Sequence, residues 1–281
     1  MVQQTQIRAP DVYGRTFEMD EPTLAAIAER LETRGKHPFI AAVIDEYMAG
    51  LIQSPADTVL DVGCGTGVVA RAIARRPEMQ GTVTAIDISA HLVETAGQLA
   101  REEGLDGRID FRVGDAHGLG LPEGGFDVVV MHTLVSHVAQ PAEVLAEGRR
   151  LLRPGSGRLV VFDGDFASWT FATGAADVGE ATDRAVQRGI VAQPRVMRAM
   201  PRLLAEVGLD LNWSRAYVVA DIGRADFWES SISSFRVLLP AARTMTRAEA
   251  NAFVDELERA SEDNRFFAAC NFYTYVAQRD T

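Results

Sequence analysis

LDVGCGTGVVA, residues 60–70, sets Gly63, Gly65 and Gly67 within five positions, directly behind a short apolar run. Glycine weakens the interior of a helix or strand by roughly 0.5–1 kcal/mol relative to alanine. Three so close together therefore mark backbone that needs them. A turn from a strand into a helix is such a place. Missing Cβ atoms permit positive φ and let a ligand lie on the main chain, and the N–H groups of the helix start favour negative groups nearby. An isolated G-x-G is equally well a turn with glycines for packing, so the surroundings decide.

Outward from this turn, strand and helix signals alternate from Asp57 to about Asp165. TVLDVG (58–63) reads as a strand and VVARAIARR as the helix after it. TVTAIDIS (82–89) is the next strand, followed by a helix with Leu92, Val93, Ala96, Leu99 and Ala100 on one face. IDFRVGD alternates Ile109, Phe111 and Val113, which is strand periodicity. FDVVVMH (126–132) is a continuous β-branched run, as in a central strand covered on both faces. A helix over 141–153 stops at RPGSG, and RLVVFDGD is the fifth strand, ending at Asp165. Alternation of this length implies a parallel sheet. Before it, residues 21–52 form two helical stretches with a break at RGKHP. After it, 166–193 reads as mixed and helical, 194–210 as a helix, NWSRAYVVADI as a strand, 224–262 as a helical insertion with a capping box at TRAE, and RFFAACNFYTYVAQ as the last strand.

Asp87 closes the second strand 20 residues after Gly67. A carboxylate there is placed to accept from both hydroxyls of a ribose. A dinucleotide fold shares these parts but uses G-x-G-x-x-G, whereas here the run is Asp61-x-Gly63-x-Gly65-x-Gly67. VLDVGCGTG resembles the glycine motif of class I S-adenosylmethionine (SAM)-dependent methyltransferases. AIDIS (85–89), GDAHGLGLPEGGFDVVVMHTLVSHV (114–138) and LRPGSGRLVV (152–161) continue the same pattern, with the serine of RPGSG a minor departure. The likeness covers roughly 57–165 and is greatest to the small-molecule branch that includes the ubiquinone/menaquinone-biosynthesis methyltransferases.

That resemblance implies an α/β, Rossmann-like fold: a mostly parallel seven-stranded sheet with helices on both faces, plus an N-terminal helical cap and helical insertions. It divides the chain into a cap (1–52), a SAM-binding core (53–165), and a C-terminal half (166–281) with substrate-cap insertions at about 166–193 and 224–262. It also implies a cofactor, SAM, and the residues that hold it. Gly63, Gly65 and Gly67 pass the methionine and ribose close to the backbone, and Asp61 serves the α-amino group. Asp87 holds the ribose, Ile88 covers an adenine face, and Asp115 and the Ala116 N–H meet the adenine edge. His132 and Thr133 line the methionine side. Tyr13 and ETRGKHP (32–38) are candidates to close over the cofactor, with Arg34 facing its carboxylate, although an ordinary surface loop fits them as well.

Methyl transfer asks a protein to desolvate, to orient and, for some acceptors, to remove a proton. His137 is the candidate general base or substrate contact, against a reading as a packed or helix-capping loop histidine. His117 and His91 read as surface residues. Asp163 and Asp165 flank Gly164 on the ligand side, as acceptor contacts or turn formers. No spacing supports a metal site. Aromatic residues crowd the C-terminal third, Trp169, Phe171, Phe227, Trp228 and Phe235 among them. Most fit a core, yet their place in the expected roof suggests an apolar or aromatic small molecule as acceptor at O, N or C.

Composition narrows the alternatives. A formal charge of −11, from 28 basic and 39 acidic residues, disfavours a nucleic-acid partner. Two distant cysteines, Cys64 and Cys270, and no leader-like or membrane-length apolar run point to a cytoplasmic enzyme without a membrane span. The partner is then a small-molecule methyl acceptor. The oligomeric state stays open, with a homodimer among the options. A SAM-binding protein or non-methylating enzyme on the same fold is the alternative. A nicotinamide-dependent oxidoreductase is disfavoured by the glycine spacing and the lack of a Tyr-x-x-x-Lys pair.

Overall fold

The computed structural model describes residues 11–172 and 178–280. The first ten residues of the expected cap and 173–177 of the first expected insertion lie outside the described residues. A 3-10 segment, Tyr13–Glu18, leads into α1 (Glu21–Gly35) and α2 (Pro38–Met48). Asp20 caps α1 by accepting from the Thr23 N–H, and His37 caps α2 through the Phe39 N–H. Proline in the first turn of each helix has no N–H left unsatisfied there.

The core follows as β1 (Val59–Val62), α3 (Val68–Ala74), β2 (Val83–Asp87), α4 (Ala90–Glu102), β3 (Ile109–Val113), β4 (Val128–His132), α5 (Pro141–Leu151) and β5 (Arg158–Phe171). Every residue of β1 and β4 is buried, in keeping with their mainly apolar sequences, interrupted only by Asp61 and His132. Then come α6 (Val178–Ile190), α7 (Val196–Glu206), β6 (Leu209–Gly223), α8 (Glu229–Ala241), α9 (Arg247–Glu262) and β7 (Phe266–Arg279). The seven strands lie in the order β3-β2-β1-β4-β5-β7-β6. β7 runs antiparallel to both its neighbours, while the pairs among β1 to β5 are parallel. Chain order reverses between β1 and β4. In an open α/β sheet that reversal leaves a crevice at the carboxyl ends of the strands.

Two expectations need correction. The fifth strand does not stop at Asp165 but continues to Phe171, because a register shift between Asp165 and Thr170 lets it stay paired with β7. The first helical insertion therefore begins later, with α6. The C-terminal aromatics also do not roof a pocket. Trp169, Phe171, Phe227, Trp228 and Phe235 are all buried, packed on one another and on Phe272 of β7, and they fasten α8 to the extended β5 and β7. No helix among the described residues is long and apolar enough to cross a membrane.

Candidate active site

The crevice at the β1/β4 reversal opens into a cavity of about 280 Å³. The glycine turn forms its floor. Gly63, Gly65 and Gly67 all have left-handed backbone, with φ of 73°, 54° and 80°. The turn is fastened to β2, since Gly63 and Cys64 donate to the Ile86 carbonyl (2.8 and 3.0 Å) and Gly65 donates to Asp87 Oδ2 (2.8 Å). Gly63 and Gly65 line the cavity. Gly67 does not. It is the N-cap of α3, and a Cβ there would lie 2.9 Å from the Phe111 ring and 3.2 Å from Ala96, so this glycine serves helix-to-sheet packing.

Both acidic residues of the motif face the cavity. Asp87 Oδ1 accepts from Ser89 N (2.9 Å) and Oδ2 from Gly65 N, leaving each oxygen a second lone pair for a ligand hydroxyl. Burial pushes its carboxyl up, and the backbone donors oppose that. Asp61 is more exposed to conflict. Its Oδ2 is buried without a partner, and burial pushes its carboxyl up to about 7. A buried oxygen in that state is best satisfied by a ligand donor or cation. Cys64, between them in the turn, is held as a thiol by burial and by both carboxylates.

Opposite stands Arg34 of α1. Its guanidinium donates to Thr133 Oγ1 (3.1 Å) and makes no ion pair with the described residues. Burial, with Arg30 nearby, pushes it down to about 10. Thr133 accepts this bond from left-handed backbone (φ 56°), rare for a β-branched residue, while its own N–H holds the Phe162 carbonyl at 2.6 Å. His132 precedes it with Nδ1 at 3.1 Å from the Tyr47 hydroxyl, and burial and Arg34 keep the ring neutral.

Ile88, Asp115, Ala116 and His117 line the end beyond β2 and β3. Burial works to raise the Asp115 carboxyl, but the His117 N–H (3.0 Å) and ring (2.7 Å) outweigh it and hold it low. His117 is thus part of the cavity wall, not a free surface residue. His137 also lines the cavity, with Nδ1 3.1 Å from Asp11 Oδ2. Burial works against its charge, yet Asp11 and Asp163 outweigh that and raise its pKa. Asp163 and Asp165 do not reach the cavity. Inside β5, Asp163 accepts from Ser136 N and Gly164 N, holding the loop after β4, and Asp165 pairs with Arg198 at 2.7 Å. No cluster of metal-ligating side chains occurs among the described residues.

The N-terminal segment supplies the remaining wall through Tyr13, Gly14, Thr16 and Phe17. Asp11 and Tyr47, the partners of His137 and His132, carry no local sequence signal. They lie 126 and 85 residues from the rings they touch.

A methyltransferase-domain family matches residues 59–155, the stretch that builds this floor and the strands around it. Residues 59–155 carry a methyltransferase domain. The chain is 34% identical over 195 residues to an uncharacterized 37.1 kDa protein in transposon TN4556 of Streptomyces fradiae, covering 69% of this chain and 54% of that one. It is 37% identical over 120 residues to the ubiquinone/menaquinone biosynthesis C-methyltransferase of Dinoroseobacter shibae, covering 42% and 47% respectively. The chain thus spans about half the length of the curated relatives it matches. A Bacillus halodurans protein provisionally called a methyltransferase superposes with a TM-score of 0.61 over 86% of this chain and 99% of its own, at 18% identity, a likeness of fold.

Proposed function

We propose that this chain transfers the methyl group of SAM to a nucleophilic atom of a small organic acceptor. One observation carries the reading: a single cavity holds, among the described residues, a buried carboxyl oxygen without a partner, on Asp61, and a half-buried guanidinium without an ion pair, on Arg34. Together they ask for a ligand with a cationic and an anionic group, and the amino-acid end of SAM has both. The ribose then falls to Asp87 and the adenine to Ile88, Asp115 and Ala116, with Gly63 and Gly65 beneath and His132 and Thr133 beside the methionine. When bound, SAM supplies an electrophilic methyl on a sulfonium. The protein's share is to exclude water and aim the acceptor.

The acceptor's atom, O, N or C, is not fixed by these residues. An apolar or aromatic acceptor is supported by Tyr13, Phe17, Leu134 and Val138 along the cavity, in place of the C-terminal aromatics. Titration calorimetry with SAM and with S-adenosylhomocysteine tests the cofactor site, and absence of heat with both would remove it. Incubation with methyl-labelled SAM and a metabolite extract tests the transfer. Label that stays on SAM across a broad acceptor panel would favour a SAM-binding or non-methylating role on the same fold.

A further inference from the structure

Asp11 is 3% exposed and gathers donors from three separate parts of the chain. It accepts from Tyr13 N (2.9 Å) and Gly14 N (3.3 Å) of its own segment and from Ala192 N (3.0 Å) between α6 and α7. His137 Nδ1, on the loop after β4, stands 3.1 Å from it. The other three donors are backbone N–H groups that suit an ionised carboxylate. Toward such an acceptor the imidazole must offer Nδ1–H, and a neutral ring then keeps its lone pair on Nε2. Nε2 has no partner among the described residues, and the side chain lines the cavity. The ring is held between Tyr13 (5.0 Å) and Phe166 (6.3 Å). A Cβ on Gly14 would run into the His137 carbonyl, so the N-terminal segment lies flush against this loop.

We propose that Asp11 is the positioning residue for His137, fixing the tautomer so that Nε2 takes the proton from an acceptor bearing a phenolic or enolic hydroxyl. The proposal rests on the methyl-transfer reading above. In the step, the acceptor O–H proton passes to Nε2 and the oxygen forms its bond to the methyl carbon. The carbon–sulfur bond breaks with its electron pair remaining on sulfur, and the imidazolium later releases the proton to water. A phenol titrates near 10, close enough to an imidazole for general-base transfer, whereas an aliphatic alcohol lies far above it. The charged and titratable groups facing the ring are Asp11, Asp163, Tyr13 and Arg30, the last held against the Tyr13 hydroxyl and 3.3 Å from Ser231 Oγ. The two carboxylates outweigh Arg30 and stabilise the imidazolium that the step creates.

The chain has five histidines, so ¹⁵N-histidine spectra resolve each ring, with His137 assigned by its loss in His137→Gln. In the wild-type protein, free and with S-adenosylhomocysteine, neutral His137 should carry its proton on Nδ1. Asp11→Asn should lower its titration midpoint by about one pH unit or more, and Asp11→Glu should restore part of the shift. With SAM and a panel of simple phenols, Asp11→Asn should lower kcat more than it raises KM and move the rising limb of the pH profile with the same midpoint. A neutral ring protonated on Nε2 in the wild type overturns the proposal whether or not the variants fold, as does an unchanged midpoint in folded Asp11→Asn. Failure of both SAM and S-adenosylhomocysteine to bind the wild type would instead overturn the methyl-transfer reading, because the tautomer is read on the free protein.

Discussion

Asp61 couples ligand binding to protons. Burial raises its carboxyl from 3.8 to about 7, so the neutral form is favoured in the folded protein. The sign follows from linkage. Its contribution to stability is complete below the ordinary carboxylate range and is lost as pH rises through about 7. A bound cation favours the carboxylate, so SAM should bind more tightly as pH climbs. Between pH 6 and 8 the gain should be roughly tenfold, read as Kd by calorimetry. Asp61→Asn should flatten that dependence, and an unaltered slope in the variant would show that Asp61 does not meet the cation. Asp87→Ala removes charged acceptors for the ribose and for Gly65 N together. It should weaken S-adenosylhomocysteine binding by about 1.5–3 kcal/mol, or roughly 10- to 100-fold. At this scale the glycine run and both acids were legible because one strand, one turn and the next strand end supply them. Gly67 was legible as a glycine but not as a packing one, since its neighbour Phe111 comes from β3. Asp11 gave no signal at all, because its partners are assembled only by the finished fold.

The elements that hold the crevice were readable where burial is uniform or alternation regular. All of the core strands lie within their predicted ranges except β5, whose continuation past Asp165 needs a register shift that β7 imposes and that no local pattern in FASWTF announces. The same extension explains the aromatics. With strands this long, Trp169 and Phe235 fill the space between sheet and α8 instead of facing a ligand. Trp169→Ala should therefore cost about 3–5 kcal/mol of stability, seen as a fall in the urea midpoint. S-adenosylhomocysteine affinity should be little changed wherever the variant is folded. A large loss of affinity with small loss of stability would place Trp169 in the ligand site after all.

In the whole molecule the cavity draws its walls from chain segments far apart. The floor comes from β1 and β2, one side from the loop after β4, and the cover from Tyr13–Glu18 and α1. A ligand touching all of them should tie the cover to the core. At a hundredfold excess over Kd it should add about 2.7 kcal/mol to stability. Amide exchange in α1 and in the Tyr13–Glu18 segment should slow beyond what β6 shows. Equal slowing everywhere would mean that the N-terminal helices do not close on the ligand. Alternating strands and helices made the architecture legible from sequence, and Tyr13 and ETRGKHP stood out as candidates for the cover, whereas the contact between Arg34 and Thr133 did not, because they meet across 99 residues of chain.

The reversed strand between β5 and β6 also governs the order of assembly. During synthesis every residue of the crevice leaves the ribosome before Phe266, yet β5 and β6 then each present an open flank with no mate beside it. Until the fourteen late residues of β7 emerge, a nascent chain holds every residue of the crevice beside a sheet that still lacks its reversed strand, the kind of open edge that other chains can pair with.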